Sequence, residues 1–97
     1  MLSPETVDRV IAAVAKEMGV SREMILAPSR SSANVARARQ MAVFILWKAA
    51  GEPSWSALGR VFGRDRTTIR HAVKTILSAP ADSTLWRLVD ECSTPAL

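Results

Sequence analysis

A chain of 97 residues fits one domain with a single modest core, and with 48% apolar residues it is expected to fold rather than stay disordered. The formal charge of +4 and the isoelectric point of about 10.2 point to a polyanionic partner, either nucleic acid or an anionic membrane surface. One cysteine, Cys92, excludes an intrachain disulfide and a cysteine-rich zinc site, and the absence of Tyr with only two Phe disfavours a sheet.

In chain order, Ser3 followed by Pro4 reads as a cap and a first helical position. Val7, Val10, Ile11, Val14 and Met18 then recur at helical spacing, and Gly19 is a natural stop, giving a first helix at about 5–18. Ser21 caps a short second helix carrying Met24, Ile25 and Leu26, which Pro28 ends. The small, polar stretch 28–33 is a loop holding Arg30. Asn34 is the cap candidate for a long third helix reaching about Ala50, with Gly51 as its stop. Its run 41–47 is apolar nearly all round, which predicts a place at the centre of a bundle. Its first turn carries Arg37 and Arg39, cations that oppose the helix dipole and so are not placed there for helix stability. Pro53 and Ser54 open a fourth helix at about 54–62, with Ala57, Leu58, Val61 and Phe62 inward. Gly63 and Arg64 make a tight turn, and Asp65 caps a fifth helix at about 66–78. Pro80 breaks the chain before a last amphipathic segment at about 83–92 with Leu85, Trp86, Leu88 and Val89; the tail 93–97 is expected to fray. The pattern is all-α: a compact bundle of about five helices plus a short C-terminal one, containing a helix-turn-helix.

The charge is unevenly spread. Residues 1–29 carry three basic and four acidic side chains, and residues 75–97 carry one and three. Residues 30–74 carry nine basic ones against Glu52 and Asp65 alone. On the fifth helix, Ile69, Ala72, Val73 and Ile76 share one face, while Arg66, Thr67, Arg70, His71 and Lys74 fall on or near the other. A solvated face normally mixes signs and gains from Glu–Lys pairs. This one has no acid between Arg66 and Lys74, so contact with DNA outranks solvation. Arg offers bidentate donors to guanine, and hydroxyls suit phosphates or base edges. Asp65 either accepts from a cytosine amino group or caps the helix.

The stretches VARARQMA (35–42) and LGRVFGRDRTTIRHAV (58–73) resemble the C-terminal DNA-binding domain of the bacterial chromosomal replication initiator, DnaA. That family reads V-A-R-P-R-Q-hydrophobic-A, then I-G-x-x-F-G-G-R-D-H-T-T-V-x-H-A. The likeness covers roughly residues 5–78, with 79–97 as a C-terminal extension, and two motifs in the right order make it specific. It implies a recognition helix in the major groove of a short duplex site. Asp65 and Thr67 occupy the family's base-reading positions, and Thr68 and His71 match duplex contacts. Arg37, Arg39 and Gln40 match the basic cluster of the long helix. Arg30 is the nearest candidate for the family's minor-groove arginine. With Arg64, Arg66, Arg70 and Lys74 these residues make up the expected DNA-binding set.

Three positions depart from the family: Arg66 replaces its base-reading His, one Gly of the Gly-Gly pair is missing, and Ala38 replaces Pro. Arg66 is expected to favour guanine where a histidine is more permissive. Starting at Met1 and lacking a G-x-x-x-x-G-K-[ST] loop, the chain is expected to act as a stand-alone regulator of transcription. Control of replication initiation is the alternative, and a protein adaptor that keeps the fold without DNA specificity is a third reading. No catalysis is expected, because His71 lacks a recognisable nucleophile partner, and no cofactor or metal is expected. Trp47 and Trp86 are assigned to the core, Trp55 to packing with partial exposure, and Cys92 to a half-buried site. The segment 83–92 covers the core, dimerises, or docks on RNA polymerase or another protein. No signal peptide precedes the first helix and the run 41–47 is too short for a bilayer, so a cytoplasmic, nucleoid-associated protein without membrane contact is expected.

Overall fold

Four serines and one aspartate set where the first five helices begin. The computed structural model describes residues 2–27, 32–79 and 82–93. Within them lie α1 (Pro4–Met18), α2 (Arg22–Leu26), α3 (Ala33–Ala49), α4 (Trp55–Phe62), α5 (Arg66–Ser78) and α6 (Ser83–Ser93), with no strand among the described residues. Ser3, Ser21, Ser32, Ser54 and Asp65 each accept a hydrogen bond from the backbone N–H three residues on. Each satisfies one of the donors that a helix start leaves open.

The cap of α3 is Ser32, not Asn34. Asn34 lies inside the first turn, and its Nδ2 donates across to the Met18 carbonyl at the end of α1, 3.2 Å away. The third helix therefore starts two residues earlier than expected, and its first turn is tied to the first helix. Arg30 and the rest of 28–31, the chain break at Pro80 and the tail 94–97 lie outside the described residues; Ser93 closes α6.

All six residues 41–46 of α3 are buried, as an all-round apolar stretch requires, because α3 packs on each of the other five helices. Around it close Val10, Ile11 and Val14 of α1, Ile25 of α2, Leu58 and Phe62 of α4, Ile69, Ala72, Val73 and Ile76 of α5, and Leu85, Leu88, Val89 and Cys92 of α6. No polar or charged residue is buried among the described residues. Removal of this apolar surface from water holds the fold together.

The last segment covers the core. Its apolar face joins the same cluster, the Arg9 Nη1 group donates to the Cys92 carbonyl at 3.1 Å, and Arg87 bridges Glu17 of α1 and Glu91. Cys92 is fully buried rather than half-buried, and burial pushes its thiol pKa up. Trp47 and Trp86 correct the sequence reading, whereas Trp55 packs with partial exposure as expected. Trp86 remains 43% exposed, meeting Phe44 edge-on at 5.5 Å, and Trp47 is only half-buried. Trp55 stacks on Trp47 at 5.3 Å, which fixes the start of α4 against α3. No helix among the described residues is long and apolar enough to cross a membrane.

Candidate nucleic-acid interface

The helix-turn-helix is α4, Gly63, Arg64, Asp65 and α5. Gly63 ends α4 in the left-handed region at φ 63°, and the Arg64 N–H donates to the Gly59 carbonyl at 3.0 Å. Gly59 is buried beneath the turn, and a Cβ there would overlap the Arg64 carbonyl oxygen. The close approach of turn and helix depends on the absent side chain. The family pattern matched at 58–73 carries a glycine at this position, but sequence reasoning missed the role of Gly59, because the Arg64 carbonyl that needs the space approaches it only in the folded turn.

The turn presents α5 with Ile69, Ala72, Val73 and Ile76 buried and Arg66, Thr67, Thr68, Arg70, His71 and Lys74 exposed. The ion pairs Arg22–Asp8, Lys48–Glu52, Arg87–Glu17 and Arg87–Glu91 all draw on cations outside α5. Asp65 caps the helix: its Oδ1 accepts the Thr68 N–H at 2.8 Å. Hydrogen bonds from the Thr68 N–H and hydroxyl hold its pKa below the usual carboxylate range.

Between α3 and α5 runs a cleft of about 150 Å³, with Ala36, Arg39, Gln40 and Val43 on one wall and Thr68, Ile69, His71 and Ala72 on the other; Arg64 lines it too. His71 also borders a depression with Thr67, Arg70 and Lys74, and Thr67 and Arg70 in turn border another with Arg66 and Trp55. Through these shared residues the α3 wall, the exposed face of α5 and the start of α4 form one continuous surface. Trp55 lies at its edge, stacked on Trp47 and facing Arg66 and Arg70.

The predicted residues are not equally placed on that surface. Gln40, Thr68 and His71 line the cleft, and Arg66, Thr67, Arg70 and Lys74 line the outer face. Arg37 is half-buried and does not line the cleft. Arg39 and Arg64 line it but spend donors on the protein's own backbone. Arg39 donates from Nε to the Ile25 carbonyl and from Nη2 to those of Met24 and Ala27, and Arg64 donates from Nη2 to Ala27. Burial and the nearby Arg64 charge lower the Arg39 pKa.

Residues 7–76 match the family described as the bacterial DnaA protein helix-turn-helix. The chain is 42% identical over 81 residues to the chromosomal replication initiator protein DnaA of Rhodopseudomonas palustris strain BisB18, covering 82% of this chain and 16% of that protein. It is 41% identical over 88 residues to that of strain HaA2, covering 89% and 18%. It is 44% identical over 73 residues to that of Bradyrhizobium sp. strain BTAi1, covering 74% and 14%. The chain thus spans less than a fifth of the length of these relatives.

Proposed function

The chain belongs to the bacterial DnaA helix-turn-helix family, and we propose that it binds double-stranded DNA sequence-specifically, with α5 in the major groove. The observation that carries this reading is the acid-free exposed face of α5, continuous with the cleft wall of α3. An α-helix fits the major groove, and cations on two converging helices can engage phosphates on either side of it.

Arg66, at the first position of α5, is the residue for guanine, with Thr67 and Thr68 beside it for base edges or phosphates. Arg70, His71 and Lys74 extend along the helix toward the backbone. Gln40 supplies a contact from α3, and Arg37 a cation at the flank. Arg30, in the segment before α3, is the candidate for the minor groove. Asp65 acts first as a cap, and its second carboxylate oxygen is the group available to a cytosine amino group. Residues 1–78 form the binding unit, and 79–97 are an extension whose helix seals the core.

The relatives are named as replication initiators, which favours recognition of an origin-type duplex and control of replication over regulation of transcription. The module itself is non-enzymatic and acts on DNA in the cytoplasm. Selection of bound duplexes from a random pool, followed by mobility shift at two salt concentrations, tests the reading. A defined consensus, bound more tightly than random duplex and weakened by salt, is expected. Absence of a shift, or a weak one without sequence preference, would replace this reading with that of an adaptor.

A further inference from the structure

Two of the arginines counted toward the DNA surface meet on a single carbonyl oxygen of the protein. Arg39, in α3, donates from Nη2 to the Ala27 carbonyl at 3.1 Å, and Arg64, in the helix-turn-helix turn, donates to the same oxygen at 2.9 Å. Arg39 also holds the Ile25 carbonyl at 2.8 Å and the Met24 carbonyl at 2.9 Å. These carbonyls belong to the end of α2, where a helix leaves its acceptors without intrahelical donors. Two like charges are thereby drawn to one point. Burial and the nearby Arg64 charge lower the Arg39 pKa, and the carbonyls at the end of α2 and its cap offset the repulsion between the two cations.

The donor geometry leaves little for DNA. A guanidinium grips phosphate or guanine through a fork that pairs Nη2 with Nε or with Nη1. Arg39 has committed both Nη2 hydrogens and the Nε hydrogen. Arg64 has committed Nη2, and its Nε is buried without a hydrogen-bond partner.

We propose that Arg39 and Arg64 are positioning residues, a two-arginine brace that fixes the end of α2 against the helix-turn-helix. The start of α3 and the turn before α5 are thereby tied to one point, so that the α3 wall and α5 meet one duplex in a fixed relative register. This rests on the DNA-binding reading for its purpose, but the brace itself is testable in the free protein.

The experiment uses the full chain with Arg39→Lys and Arg64→Lys, which keep the charge: a lysine cannot span the three carbonyls that Arg39 holds, and its ammonium ends one bond short of the Nη2 with which Arg64 reaches Ala27. Lys74→Ala is the comparison. Amide hydrogen exchange in the free protein is expected to speed up at residues 24–27 in both lysine variants, at least on the order of tenfold, the factor that a lost charged hydrogen bond implies. Exchange at 69–76 stays at the wild-type rate, and Lys74→Ala leaves 24–27 unchanged. On the selected duplex, affinity falls in both lysine variants with the salt slope preserved, whereas Lys74→Ala lowers the slope by about 1. Arg64→Lys gives up one carbonyl contact where Arg39→Lys gives up three, so it carries the test if the latter does not fold. Wild-type exchange at 24–27 overturns the brace. So does an Arg39→Ala or Arg64→Ala chain whose salt slope drops as for Lys74→Ala, since that marks a phosphate contact. If the wild type binds no duplex, the function reading fails, and the exchange rates still decide the brace.

Discussion

The Arg64 N–H bonds the Gly59 carbonyl at 3.0 Å, and the Arg64 carbonyl oxygen fills the space where a side chain on residue 59 would stand. The turn before α5 is thus folded back onto α4, and the missing side chain permits it. Gly59→Ala forces the α4–α5 turn open or displaces α4 from the core. Overpacking of this kind costs about 1–3 kcal/mol. Urea unfolding is expected to show a lowered midpoint, and binding to every duplex is expected to weaken as α5 loses its angle to α3. An unchanged midpoint would mean that the turn relaxes without strain.

Arg66 is exposed at the start of α5 beside Thr67, Arg70 and Trp55. Its removal takes away a guanine-type fork and leaves the phosphate contacts intact. Arg66→Ala is expected to cost about 1–3 kcal/mol on the selected site and to relax preference at one base pair. Repeating the selection with the variant checks it. A consensus identical to that of the wild type would remove Arg66 from base reading.

Lys74, two turns further along α5, lines the outer face with Thr67, Arg70 and His71. A lysine there acts as a point charge toward phosphate. Lys74→Ala should weaken selected and random duplexes by the same factor, and the slope of log affinity against log salt should become shallower by about 1. Arg37→Ala is expected to behave likewise from the flank. Titration at several salt concentrations separates this from base reading, and an unchanged slope would take these cations off the phosphate path.

Phe44, fully buried in α3, lies between the half-buried Trp47 and the exposed Trp86, at 6.1 Å and 5.5 Å. It joins α3 to α6 across the core. Phe44→Ala is expected to cost about 3–5 kcal/mol, a large part of the stability of a small domain. Chemical denaturation followed by tryptophan emission measures it, because the ring removed borders two of the reporters.

The elements were legible where one local signal had no rival. Ser3, Ser21, Ser54 and Asp65 each precede an apolar-periodic run and cap it as expected, and the stripe of Ile69, Ala72, Val73 and Ile76 is the buried face of α5. Asn34 reads as the cap of α3, but Ser32 takes that place and Asn34 donates to the Met18 carbonyl, an acceptor on another helix that leaves no local signal. The charge of the basic segment was equally plain. Which of its arginines face outward was not, because the carbonyls that engage Arg39 and Arg64 lie 12 to 37 residues away in the chain. Trp86 reads as core on hydropathy, yet α6 packs by Leu85, Leu88, Val89 and Cys92 and leaves the indole at the rim.

Asp65 provides a test through pH. Its carboxylate is bound by the Thr68 N–H and hydroxyl, so its pKa in the folded chain lies below the unfolded value of about 3.9. The unfolded chain then takes up the proton more readily than does the ionised, capped form held by the fold. The contribution to stability is fully present above about pH 3.9 and is lost as pH falls through the folded pKa. Asp65→Asn keeps an oxygen that can accept the Thr68 N–H but has no proton to gain. Thermal unfolding of both chains at low ionic strength should therefore show a constant gap in Tm near neutrality. Below about pH 3.9 that gap should narrow, because only the wild type loses a charge-assisted cap. The carboxylate is exposed, so added salt should shrink the gap as well. A gap independent of pH would show that Asp65 caps α5 by shape alone, with its charge contributing nothing to the start of the helix.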